Sequence, residues 1–333
     1  MTTQKKKVYN FAITMAIAIV LLVVALFVSI LLGEAKVNVT TIFEAIFSYD
    51  VTNQQHNIIS EIRIPRDIGA ILVGAALATS GAVVQGVTKN GLADPSLIGL
   101  NAGASFTLAL TFALYPKAPF LMLMVAGFVG AILGGFIVLM IGRSRSDGFN
   151  PMRIILAGAA VSAFLTALSQ GVALFFRLNQ DLTFWSAGGV SGTTWHQLIW
   201  AIPVIVIALL ILITISKQLT ILNLGETLAR GLGQNVAFIR GITLILAMVL
   251  AGVAVAMVGQ IAFVGLMVPH IVRFLVGTDY ARVIPLTAVL GGLLVLVADT
   301  LARMMGEAPV GAIISFIGVP YFLYLVKKGG LFT

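Results

Sequence analysis

Long apolar runs separated by short charged clusters make up this chain. A helix that crosses a bilayer needs about 20 mainly apolar residues. Windows of that kind fall at roughly 11–32, 66–87, 93–114, 120–141, 152–174, 196–216, 236–257, 259–276, 283–303 and 309–326. The pattern predicts an all-α, polytopic integral membrane protein, a single transmembrane domain over residues 1–333 with about ten spanning helices. Asp94 and Pro95 interrupt the third window, and Pro269 and His270 the eighth. The apolar stretch after Lys5-Lys6-Lys7 is longer than the about 7–15 residues of a cleavable signal core, so it reads as a retained first helix. No short fixed period is present, which excludes a solenoid.

Composition strengthens the reading. Hydrophobic residues make up 59% of the chain and charged residues 10%, where soluble domains carry about 25% charge. Thirty-four glycines and a mean hydropathy of +1.08 suit helices packed closely in lipid. The net charge of +8 does not point to nucleic acid, because Lys and Arg sit in short clusters between apolar runs, as topology signals do. With the N-terminus inside, the cytoplasmic side collects fourteen basic residues: Lys5, Lys6, Lys7, Lys89, Arg143, Arg145, Arg153, Lys217, Arg230, Arg240, Arg273, Arg282, Lys327 and Lys328. The outer side keeps six: Lys36, Arg63, Arg66, Lys117, Arg177 and Arg303. That bias places both termini in the cytoplasm.

Three hydrophilic stretches interrupt the apolar pattern: an outer one over 33–61, an inner one over 218–235, and one over 177–196 whose Trp185 and Trp195 read as interfacial anchors.

Little in the sequence carries catalysis. Gly81, Gly86 and the following Val87-Thr88 echo a phosphate loop but lack its Lys, so this chain does not bind ATP itself. His56, His196 and His270 fall on different segments, no spacing resembles a metal site, and there is no Cys. No catalytic, cofactor-binding or metal residue is assigned. Ionisable residues at membrane depth are costly and functional by default, which draws attention to Asp67, Asp299 and Arg303. Asp299 and Arg303 are four apart on one helical face, either a self-neutralising pair or part of a transport path. In the inner stretch, Leu224, Leu228 and Leu232 recur at spacing four with Glu226 and Arg230 on another face. That is a short amphipathic helix ending near Gly231 and Gly233, suited to a lipid surface or to a partner's groove.

Four blocks in order resemble the iron-siderophore, haem and cobalamin permeases of ABC importers. They are EIRIPRDIGAILVGAALATSGAVVQGVTKNGLADPSLIGLNAGA from Glu61, LGETLARGLG from Leu224, GQIAFVGLMVPHIVR from Gly259 and GEAPVGAIISFIGVPYFLYLVKK from Gly306. The resemblance implies a ten-helix permease in the bacterial cytoplasmic membrane. It would pair with a second permease, the same or a related chain, with two cytoplasmic ATPase subunits and with an external substrate-binding protein. It also implies that Leu224, Gly225, Glu226, Leu228, Ala229, Arg230, Leu232 and Gly233 couple to the ATPase. Arg63, Arg66 and Arg303 would receive acidic residues of the binding protein, a task the planar Arg fork suits. Iron(III)-siderophore is the implied cargo, with haem or cobalamin as alternatives. A reading from a different class is an ion-coupled secondary transporter using Asp67 or Asp299.

Overall fold

The computed structural model describes residues 10–33, 37–95, 99–144, 148–149, 151–178 and 188–327; Trp185 and Lys36 lie outside them. The chain is helical in successive elements. They are α1 (Phe11–Leu31), α2 (Val39–Phe47), α3 (Gln54–Asn57), α4 (Ile64–Thr88), α5 (Leu100–Leu114), α6 (Phe120–Gly142) and α7 (Pro151–Phe176), then α8 (Trp195–Thr214), α9 (Ser216–Leu224), α10 (Glu226–Gly231), α11 (Val236–Val258), α12 (Val264–Val276), α13 (Tyr280–Met304) and α14 (Val310–Lys327). A π-helical turn, Ile58–Arg63, joins α3 to α4, and two-residue strands Arg143–Ser144 and Gly148–Phe149 pair antiparallel between α6 and α7. Among the described residues seven helices are long and apolar enough to cross a membrane, and α5, α12 and α14 are shorter apolar helices.

The two interrupted windows begin late. Asp94 and Pro95 lie ahead of the helix, and α5 starts at Leu100, after Gly99 at φ +79°. Gly259, at φ +75°, turns the chain out of α11, and α12 starts only at Val264. Pro95 lacks the N–H that would carry a helix through the first of these points, while at the second the break is made by Gly259, and Pro269 lies inside α12.

The core is built around α4, which is buried along most of its length against α11, α12 and α13. Close approach explains the glycines on it. A Cβ on Gly74 would run into the backbone of Gly291 in α13, and one on Gly81 into the backbone of Gly265 in α12. With no hydrophobic drive between helices in lipid, small residues at crossings and hydroxyl bonds between helices supply the association. Ser80 Oγ donates to the Ala247 carbonyl of α11 at 2.7 Å, and Thr107 Oγ1 of α5 donates to the Ala126 carbonyl of α6 at 2.7 Å.

One crossing is chemically specific. Pro269 sits inside α12 and has no N–H to offer the Gly265 carbonyl four residues back. Gln85 Nε2 of α4 fills the vacancy at 3.0 Å, while Gln85 Oε1 accepts from Arg273 Nη2. The Pro in α12 is thus matched by an amide on α4. On the outside of the bundle, α1 keeps Ile13, Ile17 and Val20 exposed, and α8 does the same with Ile199 and Ile207, as helices with satisfied backbones can in an apolar surrounding.

Candidate functional site

Two polar constellations lie at opposite ends of α13. At its C-terminal end, three arginines face three carboxylates. Arg66 is in the first turn of α4, after Pro65, whose fixed φ suits a helix start. Its Nε and Nη2 bond the Asp299 carboxylate of α13 at 2.9–3.1 Å, and its Nη1 and Nη2 bond Glu307 at 2.9 and 2.8 Å. Both edges of the planar guanidinium are therefore used bidentately, the geometry that only Arg offers. Arg303 Nη2 reaches Asp67 Oδ1 at 2.5 Å, Asp299 Oδ2 at 2.9 Å and Ser29 Oγ at 3.0 Å. Ser29 Oγ in turn donates to Asp67 at 2.8 Å, which ties α1 into the cluster. Arg63 Nη1 donates to the Ile30 carbonyl at 2.5 Å.

Burial separates the members. The Asp67 and Asp299 side chains are 0% exposed and those of Arg66 and Arg303 6%, but that of Glu307 is 49% exposed. Glu307 lies in the loop between α13 and α14, beside exposed Met304 and Met305. Its hydrogen bond from Arg66 holds the carboxyl below its ordinary value of 4.5, against an opposing push from burial. Gly306 and Glu307 both take left-handed backbone, at φ +76° and +62°, which costs strain at the non-glycine position.

The three arginines expected to receive a partner's acids are therefore brought together, but inside the bundle. Their guanidinium groups are engaged by this chain's own oxygens in this conformation, because unpaired charge at this depth is too costly to leave waiting. Asp67 and Asp299 are ion-paired in the same way. Sequence reasoning missed Glu307 and Ser29. Glu307 lies beyond the helix pattern that singled out Asp299, and a serine in an apolar helix gives no signal of its own.

The opposite end of α13 holds the second constellation. Gly225, at φ +145°, breaks α9 from α10. The end of α10 is capped by two backbone bonds, Gly233 N–H to Arg230 O at 2.9 Å and Gln234 N–H to Ala229 O at 3.0 Å, with Gly233 left-handed at φ +78°. That is a Schellman cap, which requires a residue tolerant of positive φ. Ala229 is fully buried, whereas Leu224, Leu228 and Leu232 are 68%, 50% and 63% exposed. Glu226 Oε1 accepts from Arg230 at 2.7 Å, and its Oε2 lies 3.4 Å from Arg240 of α11. This turn is fastened to α13. Thr220 Oγ1 of α9 bonds Asp279 Oδ1 at 3.1 Å and accepts the Tyr280 N–H at 2.8 Å, and Asp279 caps α13 through the Ala281 N–H at 3.1 Å.

A cavity lined by Leu77, Asp94, Pro95, Asn101 and Gly265, among others, measures about 10 Å³, room for roughly one water and none for a metal chelate.

A sequence profile of the FecCD transport family matches residues 21–328. The chain is 41% identical to the iron(3+)-hydroxamate import system permease protein FhuB of Bacillus subtilis (strain 168), over 97% of this chain and 85% of that protein. It is 38% identical to the ferric enterobactin transport system permease protein FepD of Escherichia coli (strain K12), over 96% and 97%. A solved structure described as an inward-facing conformation of a metal-chelate type ABC transporter superposes with TM-score 0.83 at 27% identity, covering 94% of this chain and 98% of that one.

Proposed function

This chain belongs to the FecCD transport family of ABC importer permeases, multi-pass proteins of the cell membrane, and from that premise we propose that it carries an iron(III)-siderophore complex inward, driven by ATP hydrolysis on separate subunits. Relatives named for hydroxamate, enterobactin and citrate complexes of iron support the cargo class. The cargo's route in this reading is the seam between this chain and a second permease, as in the family it belongs to; the cavity beside Asp94 and Asn101 has room for about one water and does not admit a chelate.

The observation that carries the reading is the exposed leucine stripe on α9–α10. Leu224, Leu228 and Leu232 face out of the fold while Ala229 anchors the turn, the arrangement of a helix that fills another protein's apolar groove. Gly225 and Gly233 set its two ends, and Glu226 and Arg230 supply its polar edge. The Thr220–Asp279 bond passes any displacement of this turn to α13, and α13 ends at the arginine cluster. Motion at the ATPase would thereby reach the outer face, where the binding protein docks at the Arg66–Glu307 rim. Arg63 and Arg303 support that rim from within.

The test is reconstitution in lipid vesicles. ATP-dependent accumulation of a ferric siderophore is expected only when permease, ATPase and binding protein are all present. Uptake by the permease alone under a proton or sodium gradient would show a secondary transporter. Haem or cobalamin uptake in preference to the ferric chelate would reassign the cargo.

A further inference from the structure

We propose that Glu307 is a tethered stand-in for an acidic side chain of the external binding protein: it occupies the outward edge of the Arg66 guanidinium until the partner's carboxylate replaces it. This rests on the docking reading above and adds a regulatory residue to it.

Arg66 has two bidentate partners that differ in their freedom to leave. Asp299 is on α13, fully buried, and shared with Arg303, so it cannot move without breaking a second pair. Glu307 is on a short loop, with half of its side chain in solvent. The Glu307 carboxylate is reachable from solvent, and a carboxylate from another chain can offer Arg66 the same bidentate bonds, so the exchange replaces one pair by its equivalent rather than losing one. Backbone bonds fix the turn itself, Met305 N–H to the Leu301 carbonyl and Ala308 N–H to the Ala302 carbonyl, both at 3.1 Å, so the Glu307 side chain can leave Arg66 without the loop unfolding.

Charge balance gives the exchange a direction. Arg63, Arg66 and Arg303 are offset by Asp67, Asp299 and Glu307, so the closed cluster is neutral. When Glu307 swings out, the cluster is left one positive charge in excess, at a fork shaped for a carboxylate. An acid on the partner fills both the charge and the geometry. Exposed Met304, at the end of α13, and Met305, which follows it, offer that partner an apolar contact beside the fork.

The experiment measures binding of the cognate binding protein to the whole transporter in lipid nanodiscs. Glu307→Gln and Glu307→Ala are compared with wild type, with Arg66→Lys and with Glu61→Gln. The last removes an exposed carboxylate from the same end without touching Arg66. Unfolding temperature and ATPase assembly are recorded for each variant. Both Glu307 variants are expected to bind about three- to tenfold tighter, while Glu61→Gln binds as wild type. Unchanged or weaker binding in the Glu307 variants, or equal tightening by Glu61→Gln, overturns the stand-in role. If Arg66→Lys also leaves binding untouched in a folded transporter, the docking reading fails with it; if Arg66→Lys weakens binding, docking stands and only the stand-in is lost.

Discussion

Arg66 at the start of α4 and Asp299 near the end of α13 stand 233 residues apart in sequence and meet along a full guanidinium edge, with Nε and Nη2 within 3.1 Å of the carboxylate. Asp299 also holds Arg303 at 2.9 Å. One buried acid therefore neutralises two buried cations on different helices. Removing it leaves both partly uncompensated, a change that costs about 3–5 kcal/mol where such pairs are broken from one side. Asp299→Ala should lower the unfolding temperature of the purified permease sharply. The paired Arg66→Met, Asp299→Leu protein should lose much less, because Asp67 still holds Arg303. Equal losses in the single and paired variants would show that the ions matter through shape alone.

Gly81 is the tightest constraint on the α4–α12 crossing. A side chain there meets the Gly265 backbone, which cannot yield as a flexible side chain would, and it also pushes Gln85 off the carbonyl that Pro269 leaves open. Gly81→Val should cost about 1–3 kcal/mol or more, seen as loss of folded protein in detergent. Gly171→Ala, where nothing lies within 4 Å of the added carbon, should change stability by no more than about 0.5 kcal/mol.

Leu228 is half exposed and is not among the buried core residues. Leu228→Asp should leave unfolding within about 0.5 kcal/mol of wild type while abolishing transport and uncoupling ATP hydrolysis from substrate. Glu226→Arg should do the same with some local loss, since it sets three cations together beside Arg230 and Arg240. Gly233→Ala forces a side chain into φ +78°, at about 1 kcal/mol, and should uncouple through a misplaced α10. Uptake and substrate-stimulated ATPase activity are read together; normal uptake in correctly inserted Leu228→Asp protein would remove the coupling assignment.

Hydropathy made the helical, membrane-embedded character legible, because lipid forces apolar residues and satisfied backbones into long unbroken runs. The same pattern misjudged where α5 and α12 begin. A window average does not register that Gly99 and Gly259 turn the chain by positive φ. The spacing of Leu224, Leu228 and Leu232 predicts one amphipathic helix, but Gly225 at φ +145° breaks it, leaving Leu224 at the end of α9, Leu228 in α10 and Leu232 just past it; spacing alone does not register a glycine that turns the chain. The arginine cluster was legible only as residue types. Which acid meets which base depends on α1, α4 and α13 arriving at one point, and Ser29 and Glu307 join it from segments with no charge pattern to announce them. The match of Gln85 to Pro269 had a local half, a proline orphaning a carbonyl, and a distant half that only the packed helices supply.

The Arg66–Glu307 contact makes a pH prediction of definite sign. Glu307 lies outside the spanning helices, and the bond from Arg66 holds its folded-state carboxyl below the ordinary 4.5. A carboxylate depressed in the folded state contributes stability that is fully present above its unfolded value and is lost as pH falls through the folded one. Wild type and Glu307→Gln should therefore differ in unfolding temperature at neutral pH and keep that difference until pH approaches 4.5. Below it the two curves should converge, because protonation removes the ion pair that the substitution has already removed. Asp50, in the loop after α2, is also held low by its bonds from Thr52, but it is present in both proteins and cancels in the comparison. The half-exposed side chain keeps the difference small and sensitive to salt, so the scan belongs at low ionic strength. A gap between the proteins that persisted unchanged to about pH 3 would mean that the Glu307 charge contributes nothing to the folded state and that its contact with Arg66 is steric.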